Sequence, residues 1–407
     1  MKDISIIIVK NFYWVLIIHG ITMMFGIVDW FSIVILVYFY LAIVLFPTLK
    51  MNRVDWLVIS FLIYNIFSRL LSDYPFQLYY YGIKAQVMPV FFYFIGRSFC
   101  FRDDSFFEKF KSPLAIAFLV GIFLFLYPPS WYLDFKTRSI DVSIISSTNA
   151  IFERTRLSSF WSASYFIGYS SLFYVIYLLK RIVIDNDAYE KVTIFSLFIA
   201  FFCMFFSQQR VSIAYFLFFL IWISILSIKK KNANKRFVLN IWISIVVIGI
   251  IISIIVFTLF PPEYLEYLLV RSIDNDSSGG GLIKERVDLF SDFFKTMSFF
   301  GNGLGRYGHA AINYNMPCIS DCDYVRIPNE IGYIGLALLL LIVSTSLFKV
   351  RKQLYRFFFE VNICIFFLLA MIGATPLEMN ILQPFMLWFS LGHINNKLCL
   401  HQKLYDK

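Results

Sequence analysis

Charged side chains are scarce in this 407-residue chain: Asp, Glu, Lys and Arg together make up 15% of it, and there are four histidines. No two histidines stand at helical spacing, so we expect neither a metal centre nor a cofactor. We find no convincing internal repeat and no heptad pattern, which excludes a solenoid and a coiled coil.

Apolar residues make up most of the chain. The composition is 59% hydrophobic and 20% aromatic, and the mean hydropathy is +0.73. A soluble core could not bury this much apolar surface, and repeated apolar runs near 20 residues indicate membrane-spanning helices. We therefore predict an all-α polytopic membrane protein in which residues 1–407 form one integral membrane domain, with no cleavable leader at Met1–Asp3.

About twelve spans are predicted, with ends uncertain by several residues. They are Phe12–Val28, Trp30–Phe46, Val54–Leu71, Leu78–Ile95, Pro113–Tyr127, Ala163–Leu179, Val192–Phe206, Val211–Ile228, Phe237–Phe260, Ile331–Phe348, Phe357–Ala374 and Met379–Ile394.

The net charge of +10 is explained by orientation in a membrane rather than by nucleic-acid binding. Starting from a cytoplasmic N-terminus, every gap on the inner side is basic, as in Lys229–Lys231, and this alternation obeys the positive-inside rule. The sequence thus predicts that both termini are cytoplasmic. Two long loops, residues 128–162 and 261–329, then lie on the outer side.

The second outer loop contains its own helical pattern. Apolar residues recur every three or four positions between about residues 282 and 297, which predicts an amphipathic helix. Cys318 and Cys322 lie in the same loop, and their spacing leaves open whether they form a disulfide.

Arginines on the predicted outer face are the main functional signal. They are Arg138, Arg154, Arg156, Arg210, Arg271, Arg286, Arg306 and Arg326. A guanidinium binds phosphate oxygens through two parallel hydrogen bonds, so the set favours a phosphate-bearing anion held at the membrane. Pairing with nearby carboxylates is the structural alternative for each arginine. Arg210 stands in a turn so short that its side chain needs a partner, either a carboxylate or a lipid diphosphate.

Carboxylates and glycines near the end of the second loop complete the candidate site. Asp321, Asp323 and Glu330 are candidates to accept a proton from an attacking hydroxyl, or are solvated or salt-bridged acids. Gly303 and Gly305 belong to a glycine-rich run that follows a helix rather than a strand. This context favours backbone approach to a bulky ligand, or tight packing at the end of the helix, over nucleotide binding. His309 is the only histidine predicted outside and is not selected as a site residue.

Four segments together resemble the O-antigen polymerase and O-antigen ligase group of bacterial membrane glycosyltransferases. They are Arg156–Ser162, Ser207–Arg210, the stretch from Arg286 to Gly301-Asn302-Gly303-Leu304-Gly305, and Asn329–Gly335. The ligase pattern has a histidine shortly before the last segment, where this chain has Asp321 and Asp323, and this favours a polymerase. The residue eleven after Arg156 is Ile167 rather than the glycine of a repeat found in some polymerases.

The resemblance implies a GT-C-like architecture in the bacterial inner membrane and a polymerase acting at its periplasmic face. Growing glycan would pass from undecaprenyl diphosphate to the non-reducing end of a lipid-linked repeat unit, without a metal. Arg210, Arg156 and Arg286 would stabilise the departing diphosphate, with Arg154, Arg271, Arg306, Gly303 and Gly305 in the binding site. Asp323, Asp321 or Glu330 would take the proton.

The implied partners are the undecaprenyl-diphosphate-linked oligosaccharide, as donor and acceptor, and membrane lipid. A chain-length regulator protein is a further partner that the resemblance allows, and nucleic acid is not expected. The alternatives are an O-antigen ligase that transfers polymer to lipid A core, or a lipid-linked oligosaccharide flippase, which needs polar groups along its transmembrane interior.

Overall fold

The structure is a computed structural model that describes residues 11–25, 37–43, 49–71, 74–98, 110–138, 156–160, 164–185, 191–230, 233–259, 291, 293–319, 322–378 and 382–396. These residues form helices and connecting turns, with no strand among them. The absence of strands agrees with the predicted all-α class.

The helices are numbered in the order in which they occur along the chain. They are α1 (Phe12–Met24), α2 (residues 37–43), α3 (Arg53–Phe67), α4 (Phe76–Gly82), α5 (Phe91–Ser98), α6 (Lys111–Leu126), α7 (Ser130–Arg138), α8 (Ser164–Leu179), α9 (Lys191–Phe206), α10 (Arg210–Lys229), α11 (Lys235–Leu259), α12 (Asp323–Val350), α13 (Phe358–Ala370) and α14 (Leu382–Ile394).

Three helical segments among the described residues are long and apolar enough to cross a membrane: Ser164–Ile184, Arg210–Lys229 and Asp323–Gln353. Shorter apolar helices include Lys111–Leu126 and Phe358–Ala370. A helix overlaps each of the twelve predicted spans, while the number of membrane crossings stays a prediction. The described part of the chain is therefore helical and has segments of membrane length.

Glycines allow helices α5 and α14 to pack backbone against backbone. A Cβ atom placed on Gly96 would lie 2.4 Å from the carbonyl oxygen of Phe389, and one on Gly392 would lie 2.1 Å from that of Tyr93. Only glycine permits such an approach, as is common where membrane helices meet. This pairing fixes α14, and with it the turn that precedes α14, against the core.

A buried ion pair lies at the predicted inner end of the same core. Arg97 donates to both carboxylate oxygens of Asp55, from Nε at 2.8 Å and from Nη2 at 2.9 Å. The Tyr93 hydroxyl also donates to Asp55, at 2.6 Å. Arg97, which follows the predicted span Leu78–Ile95, is therefore part of the helix packing.

Candidate functional site

Helix α12 is interrupted at Ile331 and Gly332. Gly332 has a φ of 72° and a ψ of 175°, a conformation that side-chain-bearing residues avoid. Pro328, four residues earlier, has no N–H to donate to the helix. The helix begins at Asp323, eight residues before the predicted span at Ile331, so the end of the predicted loop is helical.

The glycine-rich segment of residues 298–303 forms hydrogen bonds with backbone groups of α12 that the interruption leaves without their helical partners. In an uninterrupted helix, the N–H groups of Tyr333 and Ile334 would bond to the carbonyls of Asn329 and Glu330. Four loop-to-helix hydrogen bonds replace these two: Asn302 N to Asn329 O (2.8 Å), Gly303 N to Glu330 O (2.9 Å), Tyr333 N to Ser298 O (3.2 Å) and Ile334 N to Phe299 O (3.4 Å). The loop thus completes the broken helix.

Glycine is required at several points of this junction. Gly301 and Gly305 have φ values of 84° and 79°. A Cβ on Gly301 would lie 2.4 Å from the Glu330 carbonyl oxygen, and one on Gly305 would lie 2.2 Å from that of Leu78. Gly305 therefore lies against α4, and Gly301 lies against α12, within the protein itself.

Arg326 lies at the centre of a charged cluster beside the helix interruption. Its guanidinium donates to Asp323 Oδ1 from Nη2 at 2.6 Å and from Nε at 2.8 Å, and to Glu330 Oε2 from Nη1 at 2.9 Å. All three side chains are fully buried. Spacings of three and four residues put them on one face of the first half of α12.

The remaining carboxylate oxygens of Asp323 and Glu330 also accept hydrogen bonds. The N–H of Leu377 donates to Asp323 Oδ2 at 3.1 Å, and that of Tyr307 donates to Glu330 Oε1 at 3.1 Å. The Gln86 amide donates to Glu330 Oε2. Asp323 therefore joins α12 to the turn before α14. Glu330 joins α12 to Tyr307, which follows the glycine-rich segment, and to the segment between α4 and α5.

Glu378, in the turn between α13 and α14, brings a third carboxylate to the cluster. Its Oε2 lies 3.6 Å from Arg326 Nε and 3.1 Å from His309 Nδ1, and its Oε1 accepts the His309 backbone N–H at 2.6 Å. Burial by itself would raise the pKa of Glu378, but the positive charge of Arg326 and the contacts with His309 outweigh burial and lower it.

The segment at Arg156 packs on the short turn that ends at Arg210. The Leu157 N–H donates to the carbonyl of Phe206 at 3.0 Å, and Gln209 donates to the Ser164 hydroxyl at 2.9 Å. Arg210 is exposed at the start of α10, and Arg156 is half-buried. Two sequence segments that carry the resemblance are thus adjacent in the fold.

Helix α8 connects this turn to the charged cluster. The Tyr169 hydroxyl lies within electrostatic range of the Asp323 carboxylate. Tyr81, on α4, lies within range of Tyr165 as well as of Glu378 and Arg326.

The structure locates some of the predicted site residues and not others. Asp323, Glu330, Gly303 and Gly305 come together at the interruption in α12. Arg306 lies beside them, half-buried, and donates to the Asn302 carbonyl at 3.2 Å. The residues predicted for the site that lie outside the described residues are Asp321, Arg154, Arg271 and Arg286.

The predicted amphipathic helix at about residues 282–297 also falls largely outside the described residues; residues 291 and 293–296 are helical. Cys318 and Cys322 are thiols rather than a disulfide. Among the described residues, no group of three His, Cys, Asp or Glu side chains could hold a metal ion.

Sequence reasoning missed the central roles of four residues. The sequence places Arg326 among the outer arginines or in a salt bridge, and it does not predict His309, Glu378 or Gln86 as site residues. The spacing of Asp323, Arg326 and Glu330 was the available signal, since it fits one helix face. For Glu378 and Gln86 the sequence offers no signal, because only folding brings them to α12.

No protein-family model matches the chain, and a search of curated proteins finds no match. Any functional conclusion therefore rests on the residues and their arrangement.

Proposed function

We propose that this protein is an O-antigen polymerase with about twelve membrane spans and a GT-C-like architecture, acting at the periplasmic face of the inner membrane. It would transfer growing glycan from undecaprenyl diphosphate to the non-reducing end of a lipid-linked repeat unit. The observation that supports this most is the pairing of the four resembling segments. Leu157 bonds to Phe206, directly before the Ser207–Arg210 turn, and Gln209 of that turn bonds to Ser164, just after the Arg156–Ser162 segment. The glycine-rich loop completes α12 around Glu330.

The proposal assigns the arginines to the leaving diphosphate. A prenyl diphosphate is already a good leaving group, and guanidinium groups stabilise its developing charge without a metal. Arg210 is exposed at the start of a membrane-length helix, a position that suits a lipid-borne anion. Arg156 is half-buried in the segment next to this turn, and Arg306 is half-buried beside the acid cluster. Arg286 remains a sequence prediction.

A lipid-linked oligosaccharide flippase is the second candidate, because one observation favours it. Discontinuous helices with buried charges are typical of transporter binding sites, and α12 combines an interruption at Gly332 with the fully buried Arg326 cluster. In a transporter site, the backbone groups at such an interruption bind the substrate or ion. Here the glycine-rich loop hydrogen-bonds to backbone groups on both sides of the interruption, and this favours the polymerase.

The test is deletion of the protein in a host that makes this glycan, followed by separation of lipopolysaccharide by size. Core carrying a single repeat unit supports the polymerase. Bare core with polymer left on the lipid carrier indicates the ligase, and repeat units trapped facing the cytoplasm indicate the flippase.

Complementation of the deletion by variants tests the arginine assignment. We expect Arg210→Ala and Arg286→Ala to abolish long chains at unchanged protein level, because losing one donor to a developing anion costs about 10²–10³-fold in rate. Lys229→Ala is the matched control, since Lys229 is exposed at the opposite end of α10 from Arg210. Normal ladders from both arginine variants would remove these residues from the site.

A further inference from the structure

The three membrane-length segments end at one place on the predicted inner side. They are Ser164–Ile184, Arg210–Lys229 and Asp323–Gln353. Lys230 follows the second segment, and its Nζ donates to the carbonyl of Ile184, the last residue of the first. The same Nζ lies 5.4 Å from the centre of the Tyr355 ring, two residues after the third segment. We call this meeting place, residues 183–184, 230, 233–236 and 352–356, the inner junction.

Positively charged side chains surround the inner junction. They are Lys230, Lys235, Arg236, Lys352 and Arg356. Lys235, Arg236 and Lys352 are exposed, whereas Lys230 and Arg356 are half-buried. The Asn234 N–H donates to the Val183 carbonyl at 3.1 Å, which holds the start of α11 against the end of the first segment. Cations from three separate parts of the chain are thus brought to one place.

Carboxylates near the inner junction are paired with other groups. Asp185 lies 3.4 Å from Lys180, and Glu360 lies 2.7 Å from the Nδ1 atom of His393. In the part of the chain that the structure describes, no carboxylate forms an ion pair with the exposed cations of the junction or with Arg356. A basic surface whose neighbouring acids are engaged elsewhere favours an anionic ligand.

Arg356 is the residue at the junction that most needs a ligand. Its Nη1 is buried, and the described residues offer that atom no hydrogen-bond acceptor. The guanidinium lies 5.5 Å from the centre of the Phe357 ring, which supplies no acceptor oxygen. A charged group held partly out of water without an acceptor costs free energy, and a nearby phosphate offsets that cost through its charge and its oxygens.

Large apolar side chains lie exposed beside these cations. Ile228 is 70% exposed near the end of α10, Phe348 is 63% exposed near the end of α12, and Leu239 is 59% exposed early in α11. In helices of membrane length such side chains face acyl chains. A ligand that carries a phosphate next to acyl chains is therefore complementary to both parts of this surface.

We propose that the inner junction binds the headgroup of an anionic phospholipid, with Arg356 and Lys352 as donors to its phosphate and with its acyl chains along Ile228 and Phe348. Basic pockets between membrane helices hold anionic headgroups in this way. The inference does not depend on the proposed polymerase function. It gives the basic residues of this face a binding role in addition to orienting the chain.

The test measures how much phosphatidylglycerol the purified full chain retains in detergent, by native mass spectrometry over a range of lipid concentrations. We expect Arg356→Gln to raise the dissociation constant by about tenfold or more, because it removes a charged hydrogen-bond donor to phosphate. Lys352→Gln should raise it by about fivefold, the usual contribution of one cation close to an anionic headgroup.

Lys111→Gln is the matched control. Lys111 is half-buried like Arg356 and is the first residue of α6, on the same predicted side, and the adjacent Phe110 packs on Tyr13 of α1. We expect the dissociation constant to stay within about twofold of the wild type, because an isolated surface charge contributes little. Without lipid, Arg356→Gln should unfold at the wild-type temperature or above it, since the variant lacks the buried donor.

Three results would overturn the proposal. Equal affinity for phosphatidylglycerol in wild type, Arg356→Gln and Lys352→Gln would remove the site, and Lys352→Gln decides alone if Arg356→Gln does not fold. Phosphatidylcholine bound as tightly as phosphatidylglycerol would mean that the helices are merely coated by lipid. Inorganic phosphate that displaces phosphatidylglycerol would assign the junction to a free anion instead; we expect no displacement.

Discussion

At the scale of single residues, Arg326 shows how a charge can be structural where its sequence context suggests ligand binding. It contacts three carboxylates and is fully buried. A buried charge is tolerated only when it is paired, and removal of one partner leaves the others uncompensated. Arg326 is therefore needed for the acids around it to be buried at all.

Replacing Arg326 by Met should lower the free energy of unfolding by about 3–5 kcal/mol, because it leaves Asp323, Glu330 and Glu378 without their cation. Thermal or denaturant unfolding in detergent measures this. Arg351→Met is the matched control: Arg351 is exposed near the end of the same helical segment, so we expect a change within about 0.5 kcal/mol.

The deficit of Arg326→Met should depend on pH. The folded-state pKa of Glu378 is lowered from its ordinary value of 4.5, with burial opposed by Arg326 and His309. Its stabilising contribution is therefore present above that value and is lost as pH falls through the lower folded-state pKa. Without Arg326, only the contacts with His309 oppose burial, so the folded-state pKa of Glu378 is higher in the variant than in the wild type. We expect the difference between wild type and variant to shrink as pH falls through the range between these two folded-state pKa values. A constant difference would mean that Glu378 is not stabilised by Arg326.

At the scale of elements, the interruption in α12 is the feature that organises the site. The predicted span begins at Ile331 because the run of charged residues before it is typical of a loop. The structure shows a helix through Asp323, Arg326 and Glu330 because these charges pair with one another and with Glu378 instead of facing water. Tertiary pairing thus overrode the local preference.

Gly332→Ala should separate the glycine-rich loop from α12. The substituted residue would have to adopt a φ of 72°, and its Cβ would lie 2.2 Å from the Phe299 carbonyl oxygen. Since the loop-to-helix hydrogen bonds depend on this geometry, we expect a loss of stability of more than about 1 kcal/mol and faster backbone hydrogen exchange at residues 298–303.

Gly373→Ala is the control for Gly332→Ala, because a Cβ on Gly373 would meet nothing within 4 Å. It should leave both stability and exchange close to the wild type. Equal protection of residues 298–303 in wild type and Gly332→Ala would contradict the role given to the interruption.

At the scale of the whole molecule, the proposed function depends on which ends of the helices face the periplasm. The basic inner gaps predict that the charged cluster and residues 298–319 face the periplasm. The three helices of membrane length are compatible with this arrangement, and the proposed chemistry requires it.

Thiol reagents that cannot cross the inner membrane test this topology. They are applied to cells in which the reagent reaches the periplasm and the inner membrane is intact, with single cysteines in a cysteine-free background. Asn313→Cys, at an exposed position in the short helix His309–Tyr314, should react without permeabilisation of the inner membrane. Arg351→Cys, exposed at the opposite end of the segment Asp323–Gln353, should react only after permeabilisation. The reverse pattern would place the cluster in the cytoplasm and overturn the proposed function.

The sequence by itself determined the helical class, the approximate place of the apolar helices and the glycines at the loop junction. These follow from local properties, namely hydrophobic run length and the backbone freedom of glycine. Only the tertiary structure decided which charges pair. Gln86, His309, Arg326 and Glu378 come from four separate parts of the chain, and they meet because buried charges and polar groups must find partners wherever the packing brings them together.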